Sequence, residues 1–311
     1  MIKIGLIGLG HWGPNYIKVL SGNSEAVITT IFDIKPTPIS YPNIKQTTSV
    51  EAIFTDKSID AVIIATPTST HFELVRDALV AGKHVLVEKP ITDNLEEASK
   101  LLGLAQESNL TLMVGHIFVY NQGIQYIKRG VERNEFGKLQ YISAVRVNPG
   151  PVRNDINVIS DLAVHEISIF DYIFGQLPTW VSVSASCPLG NSREDVAFIS
   201  LSYGAVLANI YVSWIDLQKV RTLTIVGATH KVFWNDLDTA EPVRIYQKEP
   251  IYRILIDLKK EEPLKTEVNA FINTIINKTH NLSEAYPIYR VMQVHDAIQK
   301  SLKEDGRKVY L

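Results

Sequence analysis

Met1-Ile-Lys-Ile-Gly-Leu-Ile-Gly-Leu-Gly-His-Trp-Gly13 opens the chain, and its reading decides the fold. An apolar run from Ile2 to Ile7 leads into Gly8-x-Gly10-x-x-Gly13, and Pro14 then begins a helical pattern through Tyr16, Ile17 and Leu20. This is the strand, tight turn and helix of a dinucleotide-binding unit. Glycines let the backbone approach a pyrophosphate, and the helix N-terminus offers it free N–H groups and a partial positive charge. Gly8, Gly10, His11, Trp12 and Gly13 are therefore the first candidate cofactor contacts. A second apolar stretch, Val27 to Phe32, ends in Asp33, where such folds place a carboxylate on the ribose hydroxyls. The expected cofactor is NAD. A 2′-phosphate would face the charge of Asp33, only partly offset by Lys35, so NADP is disfavoured.

Outward from this unit, strands and helices alternate. A loop bearing Pro36, Pro38 and Pro42 precedes a short helix over Val50 to Phe54. Ile59 to Ala65 is continuously apolar except for Asp60, as in a strand covered on both faces, and ends in Thr66-Pro67-Thr68-Ser-Thr70-His71. Thr70 and Glu73 have capping-box spacing ahead of a helix that Gly82 closes. His84 to Val87 ends in Glu88-Lys89-Pro90, and Asp93 with Glu96 repeats the capping spacing before another helix. Thr111 to Val114 completes the pattern. The fold class expected is α/β: a parallel Rossmann sheet over residues 1–118. After it come helices over Gly123 to Arg133 and Val158 to Phe174. Strands without intervening helices follow over 180–247, and two helices, Leu264 to Asn277 and Ser283 to Leu302, close the chain. Residues 119–311 therefore predict an α+β domain on a large open, mostly antiparallel sheet.

Composition limits the function classes. Of 311 residues, 46% are hydrophobic and 21% charged, as in a soluble globular protein, and the net charge of -2 gives no case for nucleic acid or an anionic membrane. A single cysteine, Cys187, excludes an internal disulfide and fits a reducing cytoplasm. No apolar segment approaches the roughly 20 residues that span a bilayer.

Ligands of parallel α/β sheets bind beyond the carboxyl ends of the strands. Asp33, Thr66 to His71 and Glu88-Lys89 stand at such ends. Lys89 is placed to stabilise an alkoxide or share its proton, and a surface lysine fits the same spacing equally well. Asp161 and His165 stand one helical turn apart, with Ser168 and Tyr172 extending the stripe. His165 is the natural general base at neutral pH, although a solvated face explains the stripe as readily. Arg146 and Arg153 suit a diphosphate through their planar forks, although loop and surface arginines with no ligand role explain them more readily. No compact ligand motif supports a metal.

In order, Gly8-x-Gly10-x-x-Gly13, Asp33, Ala65-Thr-Pro-Thr-Ser-Thr-His71, Glu88-Lys89-Pro90, Gly115-His116 and Asp161-x-x-x-His165 resemble the Gfo/Idh/MocA oxidoreductases, the glucose–fructose oxidoreductase and inositol dehydrogenase family. The resemblance implies an NAD(P)-dependent dehydrogenase acting on ring hydroxyls, with Lys89, Asp161 and His165 at the reaction centre. It also implies a frequently cis Lys89–Pro90 bond and homodimers or homotetramers formed through the open sheet. Gly150-Pro-Val-Arg153 and Asn157-Val-Ile-Ser-Asp161 look most like branches acting on nucleotide sugars, such as UDP-N-acetylglucosamine 3-dehydrogenases. Tyr120, Asn121 and Asn157 join the substrate candidates on that ground. Val119-Tyr-Asn-Gln122 lacks the arginine and proline of many relatives, which leaves the substrate open to inositol or free sugars. A non-catalytic NAD-binding regulator is the alternative from another class.

Overall fold

The computed structural model describes residues 1–311 except 37–40, 154, 191, 249, 251, 255, 257, 259–260, 281 and 283–284. Pro38, Asn154 and Ser283 thus lie outside the described residues. Helices α1 (Gly13–Leu20), α2 (Glu51–Phe54), α3 (His71–Val80), α4 (Leu95–Glu107), α5 (Gln122–Glu132), α6 (Val164–Phe174), α7 (Pro263–Asn277) and α8 (Ala285–Lys303) follow in chain order. Two compact units emerge: Met1–Ile117 with Glu262–Tyr289, and Phe118–Glu261 with Arg290–Leu311.

In the first unit, β1 (Ile2–Ile7), β2 (Ala26–Phe32), β3 (Lys45–Thr47), β4 (Ala61–Ile64), β5 (His84–Val87) and β6 (Leu112–Val114) form one parallel sheet. Its order is β3-β2-β1-β4-β5-β6. All four residues of β4 have no exposure, because helices on both faces leave no polar side. Gly8 has φ +100, and a Cβ there would stand 2.7 Å from the Ala65 carbonyl oxygen. At Gly13 a Cβ would stand 2.4 Å from the Gly8 carbonyl oxygen, so only glycine lets α1 start against the turn. β3 escapes detection in the sequence because Lys45-Gln-Thr47 is polar and sits at the sheet edge.

The two expected capping boxes fail for a local reason. The Thr70 hydroxyl donates to the Pro67 carbonyl oxygen at 2.8 Å, and a one-turn 3-10 helix precedes α3. Asn94, not Asp93, caps α4 and accepts from the Glu97 N–H at 2.9 Å. The amide oxygen serves as well as a carboxylate at that position.

In the second unit, β7 (Leu139–Pro149), β8 (Trp180–Ser186), β9 (Val196–Tyr203), β10 (Val206–Ser213), β11 (Ile215–Gly227), β12 (His230–Asn235), β13 (Val243–Gln247), β14 (Tyr252–Ile254) and β15 (Val309–Tyr310) form a mixed sheet, ordered β14-β13-β12-β11-β7-β10-β9-β8-β15. Its one parallel pair among the described residues is β7 with β10. Ile142, Ala144, Ala208, Ile210, Leu223 and Ile225 point inward and are at most 1% exposed. Tyr141, Phe198 and Leu207 lie on the other face and are about half exposed. The helix expected from Val158 onward is two elements: a π-helical turn over Ile159–Ala163, then α6.

A carboxyl group of α7 lies inside the first unit, where an ionised form would carry a large solvation cost. Glu267 of α7 is 1% exposed, with Oε1 lacking a hydrogen-bond partner. Burial, and then the charge of Glu88, pushes its pKa well above the usual carboxylate range. A raised folded-state pKa means that stability falls as pH climbs above the unfolded value, near 4.3, toward the folded one, because only the unfolded chain ionises freely. Glu267→Gln removes that cost. We expect urea unfolding to show the variant gaining on the parent between pH 5 and pH 8, by about 1.4 kcal/mol for each unit of pKa elevation spanned. A constant difference across that range would mean that Glu267 is ionised in the folded protein.

Candidate functional site

Around the glycine turn, backbone and carboxylate fix one another. Asp33 Oδ2 accepts from the Leu9 N–H at 2.8 Å and Oδ1 accepts from the Lys35 N–H at 3.1 Å. The Gly8 N–H donates to the Phe32 carbonyl oxygen at 2.8 Å, which ties the turn to the end of β2. A cavity of about 340 Å³, lined by Leu9, Ile31, Asp33, Lys35, Gln46 and Thr47, opens beside Asp33. A Cβ on Gly10 would meet nothing nearer than 4.0 Å, so the space before the turn is open. Close-packed Gly8 and Gly13, open Gly10 and a carboxylate at the cavity wall fit a dinucleotide. His11 is exposed and Trp12 half-buried, and Trp12 is the N-cap residue of α1.

The next two strand ends are braced together. His71, 1% exposed, bonds the Pro90 carbonyl oxygen through Nδ1 at 2.8 Å and the Thr66 carbonyl oxygen through Nε2 at 2.9 Å. Both nitrogens are spent on backbone, so His71 holds the Thr66-Pro67-Thr68 and Glu88-Lys89-Pro90 loops in place and does not itself bond a cofactor. Glu88 is likewise turned inward: its Oε1 accepts from the Tyr16 hydroxyl at 2.8 Å and its Oε2 from the Lys89 N–H at 3.3 Å. Thus Glu88 supports Lys89 through the backbone, where the motif alone suggested a cofactor contact. Lys89 is 9% exposed, and the Lys89–Pro90 peptide is cis. Neighbouring His116 is 4% exposed, and its pKa falls to about 4 through burial and then the charge of Lys89, so it is neutral at pH 7.

In the second unit, the π turn carries Asp161 and α6 carries His165. π-helical turns recur at functional sites, and this one widens the turn between the two residues. Asp161 Oδ2 accepts from Trp214 Nε1 at 3.1 Å and Oδ1 from Arg153 Nη1 at 3.3 Å. Arg153 also donates Nε at 2.9 Å and Nη2 at 2.5 Å to Asp155. All three guanidinium nitrogens bond carboxylates, so Arg153 anchors its loop to Asp161, and any bond to a diphosphate would come from its remaining N–H donors. Arg146 is a correction. Only 2% exposed, it donates Nε to Glu166 Oε1 at 2.5 Å, a buried ion pair out of a ligand's reach. Asn157 has a structural task of its own: its oxygen accepts from the Ser160 N–H at 2.9 Å, which caps the π turn, and its amide donates to Glu194 at 2.8 Å. Asn121 Oδ1 caps α5 in the same way, accepting from the Gly123 N–H at 2.9 Å, and Tyr120 is 3% exposed.

His165 packs edge-on to Phe118, ring centroids 5.0 Å apart, and its Nδ1 is buried. The Arg146 guanidinium lies 4.1 Å from the centroid of the same ring. Phe118, Glu166 and Trp214 were not predicted, since each reads in sequence as one more core or helix residue. Glu267 did carry a signal, an acid at helical spacing between Leu264 and Phe271 on an apolar stripe. Among the described residues no group of three or more His, Cys, Asp or Glu could hold a metal ion, and no helix is long and apolar enough to cross a membrane.

Known proteins resemble this chain along most of its length. A model described as the oxidoreductase family with an NAD-binding Rossmann fold matches residues 2–116, and the GFO/IDH/MocA C-terminal domain matches residues 124–232. The UDP-N-acetylglucosamine 3-dehydrogenase of Acidithiobacillus ferrooxidans is 30% identical over 293 residues, which is 88% of each chain. Its solved structure superposes with a TM-score of 0.84 over 98% of both chains at 27% identity. The inositol 2-dehydrogenase of Rhizobium meliloti is 24% identical, covering 62% of this chain and 61% of that protein. The 2,7-anhydro-N-acetylneuraminate hydratase of Escherichia coli is 25% identical, covering 65% and 59%. With both domains matched in order and one relative aligned along most of its length, this chain belongs to the GFO/IDH/MocA family of NAD-binding oxidoreductases.

Proposed function

We propose that this oxidoreductase moves a hydride between NAD and a ring hydroxyl of a nucleotide sugar, of the UDP-N-acetylglucosamine type oxidised at carbon 3. The alignment with UDP-N-acetylglucosamine 3-dehydrogenase, over 88% of both chains, carries this reading. Nicotinamide, when bound, supplies the hydride acceptor. The residues of the chain manage the proton and the charge. His165 takes the hydroxyl proton at Nε2, because Nδ1 is buried. Lys89 stabilises the oxygen as it becomes an alkoxide, a task that needs a cation and so conflicts with acting as the base. Asp161, held by Arg153 and Trp214, orients the imidazole or bonds the sugar. Tyr120 and the Asn121 amide remain proposed sugar contacts, and Thr66, Pro67 and Thr68 proposed cofactor contacts. Homodimers or homotetramers would cover Tyr141, Phe198 and Leu207 on the outer sheet face.

A second reading has its own support. The hydratase relative is named for a reaction without net oxidation, and the second reading is an enzyme that holds NAD as an internal redox shuttle. A panel of UDP-sugars, free sugars and inositols with NAD and NADP, read by reduced-cofactor absorbance, tests the proposal. Absence of turnover with every UDP-sugar would overturn it. NAD released by denaturing the purified protein, without reduced cofactor accumulating, would favour the shuttle.

Three substitutions sharpen the test. His165→Asn is expected to lower turnover about 10²–10⁴-fold while NAD still binds, and unchanged turnover with an unchanged pH profile would remove histidine as the base. Lys89→Ala should cost about 10²–10³-fold or more in turnover, by loss of the charge that the transition state needs most. Asp33→Ser should narrow the preference for NAD over NADP in kcat/KM, since the carboxylate no longer repels a 2′-phosphate. Equal kcat/KM for both cofactors in the parent would refute that role for Asp33.

A further inference from the structure

We propose that Lys219 and Arg221 form a docking subsite for the anionic oxygens of the substrate, the diphosphate of a nucleotide sugar. The proposal rests on the substrate reading above and names the residues that would recognise the nucleotide half. The inner face of the second unit's sheet supplies the geometry. Along β7 and β11 the inward positions run Ile142, Ala144, Arg146 and Ile225, Leu223, Arg221, with Arg146 and Arg221 directly paired in register. At this row the apolar lining gives way to charge. Arg146 is buried and committed to Glu166. Arg221 donates Nη1 to Asp236 at 3.0 Å, while its side chain keeps 32% exposure. Both guanidinium groups face Phe118, at 4.1 and 5.9 Å from its centroid, and that ring packs against His165. A single aromatic side chain therefore separates a half-exposed arginine from the proposed base.

Lys219 extends the row outward. It lies in the bulge that breaks the β7–β11 register between Ile215 and Val220, and it is exposed. Among the described residues it makes no hydrogen bond or close ion pair. A lone surface lysine would carry no argument. This one faces cations: its pKa is lowered first by Arg221, then by partial burial, and further by Arg146, with Asp236 opposing. Lys219, Arg221 and Arg146 stand against the carboxylates of Asp236 and Glu166, which leaves one positive charge uncompensated. A diphosphate spanning Lys219 and Arg221 would relieve that repulsion, with the arginine giving directed N–H donors and the lysine a mobile point charge.

Calorimetric binding to the full chain in the presence of NAD tests this, with inorganic pyrophosphate, UDP-N-acetylglucosamine and N-acetylglucosamine as probes. Lys219→Glu, an exposed change with little risk to folding, should weaken both anions about tenfold or more, and raised salt should reduce the difference. Arg221→Gln combined with Asp236→Asn, which leaves no half-buried carboxylate unpaired, should weaken them at least as much. N-Acetylglucosamine affinity should not change. Unchanged affinity for both anions in Lys219→Glu overturns the subsite, even if a UDP-sugar is oxidised and the enzyme reading stands. Conversely, pyrophosphate binding that depends on Lys219, in a protein that oxidises no UDP-sugar, keeps the subsite and removes the substrate reading. Equal loss of the neutral sugar would show disturbed folding around β11 and also overturn the proposal.

Discussion

The first unit depends on a distance that no side chain tolerates. A Cβ on Gly13 would lie 2.4 Å from the Gly8 carbonyl oxygen, well inside any allowed contact. Helix α1 can therefore begin only where its first residue is glycine. The same closeness carries its free N–H groups to the mouth of the turn, a position suited to a pyrophosphate. Asp33 then ties the turn to β2 through the Leu9 N–H. One steric constraint thus sets strand, turn and helix at once, and Asp33 is tied to all three.

Buried charge organises what surrounds this frame. Removing two ions from water costs several kcal/mol each, and their attraction only roughly offsets the loss, so the Arg146–Glu166 pair is poor evidence of stability. Its consequence is positional. Glu166 fixes Arg146, Arg146 stacks on Phe118, and Phe118 packs on the imidazole of His165. In the first unit Glu88 plays a comparable part, because its carboxylate receives the Tyr16 hydroxyl and the Lys89 N–H. The reactive side chains proposed in each unit are thus backed by buried charged groups.

Several polar residues that a motif offers as ligands also brace the scaffold. His71 spends both ring nitrogens on backbone, and Asn157, Asn121 and Arg153 each bond backbone or carboxylates of their own unit. A residue that braces a loop gives the same signal in one sequence as a residue that binds a ligand, and only the partners in the folded chain tell the two apart.

The sequence by itself determined the local and periodic features. The glycine turn, the parallel strands of the first sheet, the antiparallel succession after Trp180 and the positions of Asp33, Lys89 and His165 all follow from steric rules or from apolar spacing within a few residues. Tertiary structure alone decided the rest. The polar edge strand Lys45–Thr47 forms only because β2 offers its free side. The π turn at Ile159–Ala163 leaves no trace in side-chain periodicity. Arg146 and Arg221, far apart in the chain, become neighbours through strand register. Whether an arginine binds a ligand or a glutamate, and whether Glu267 is charged, depends on burial and on partners brought from distant segments, and those are properties of the folded chain.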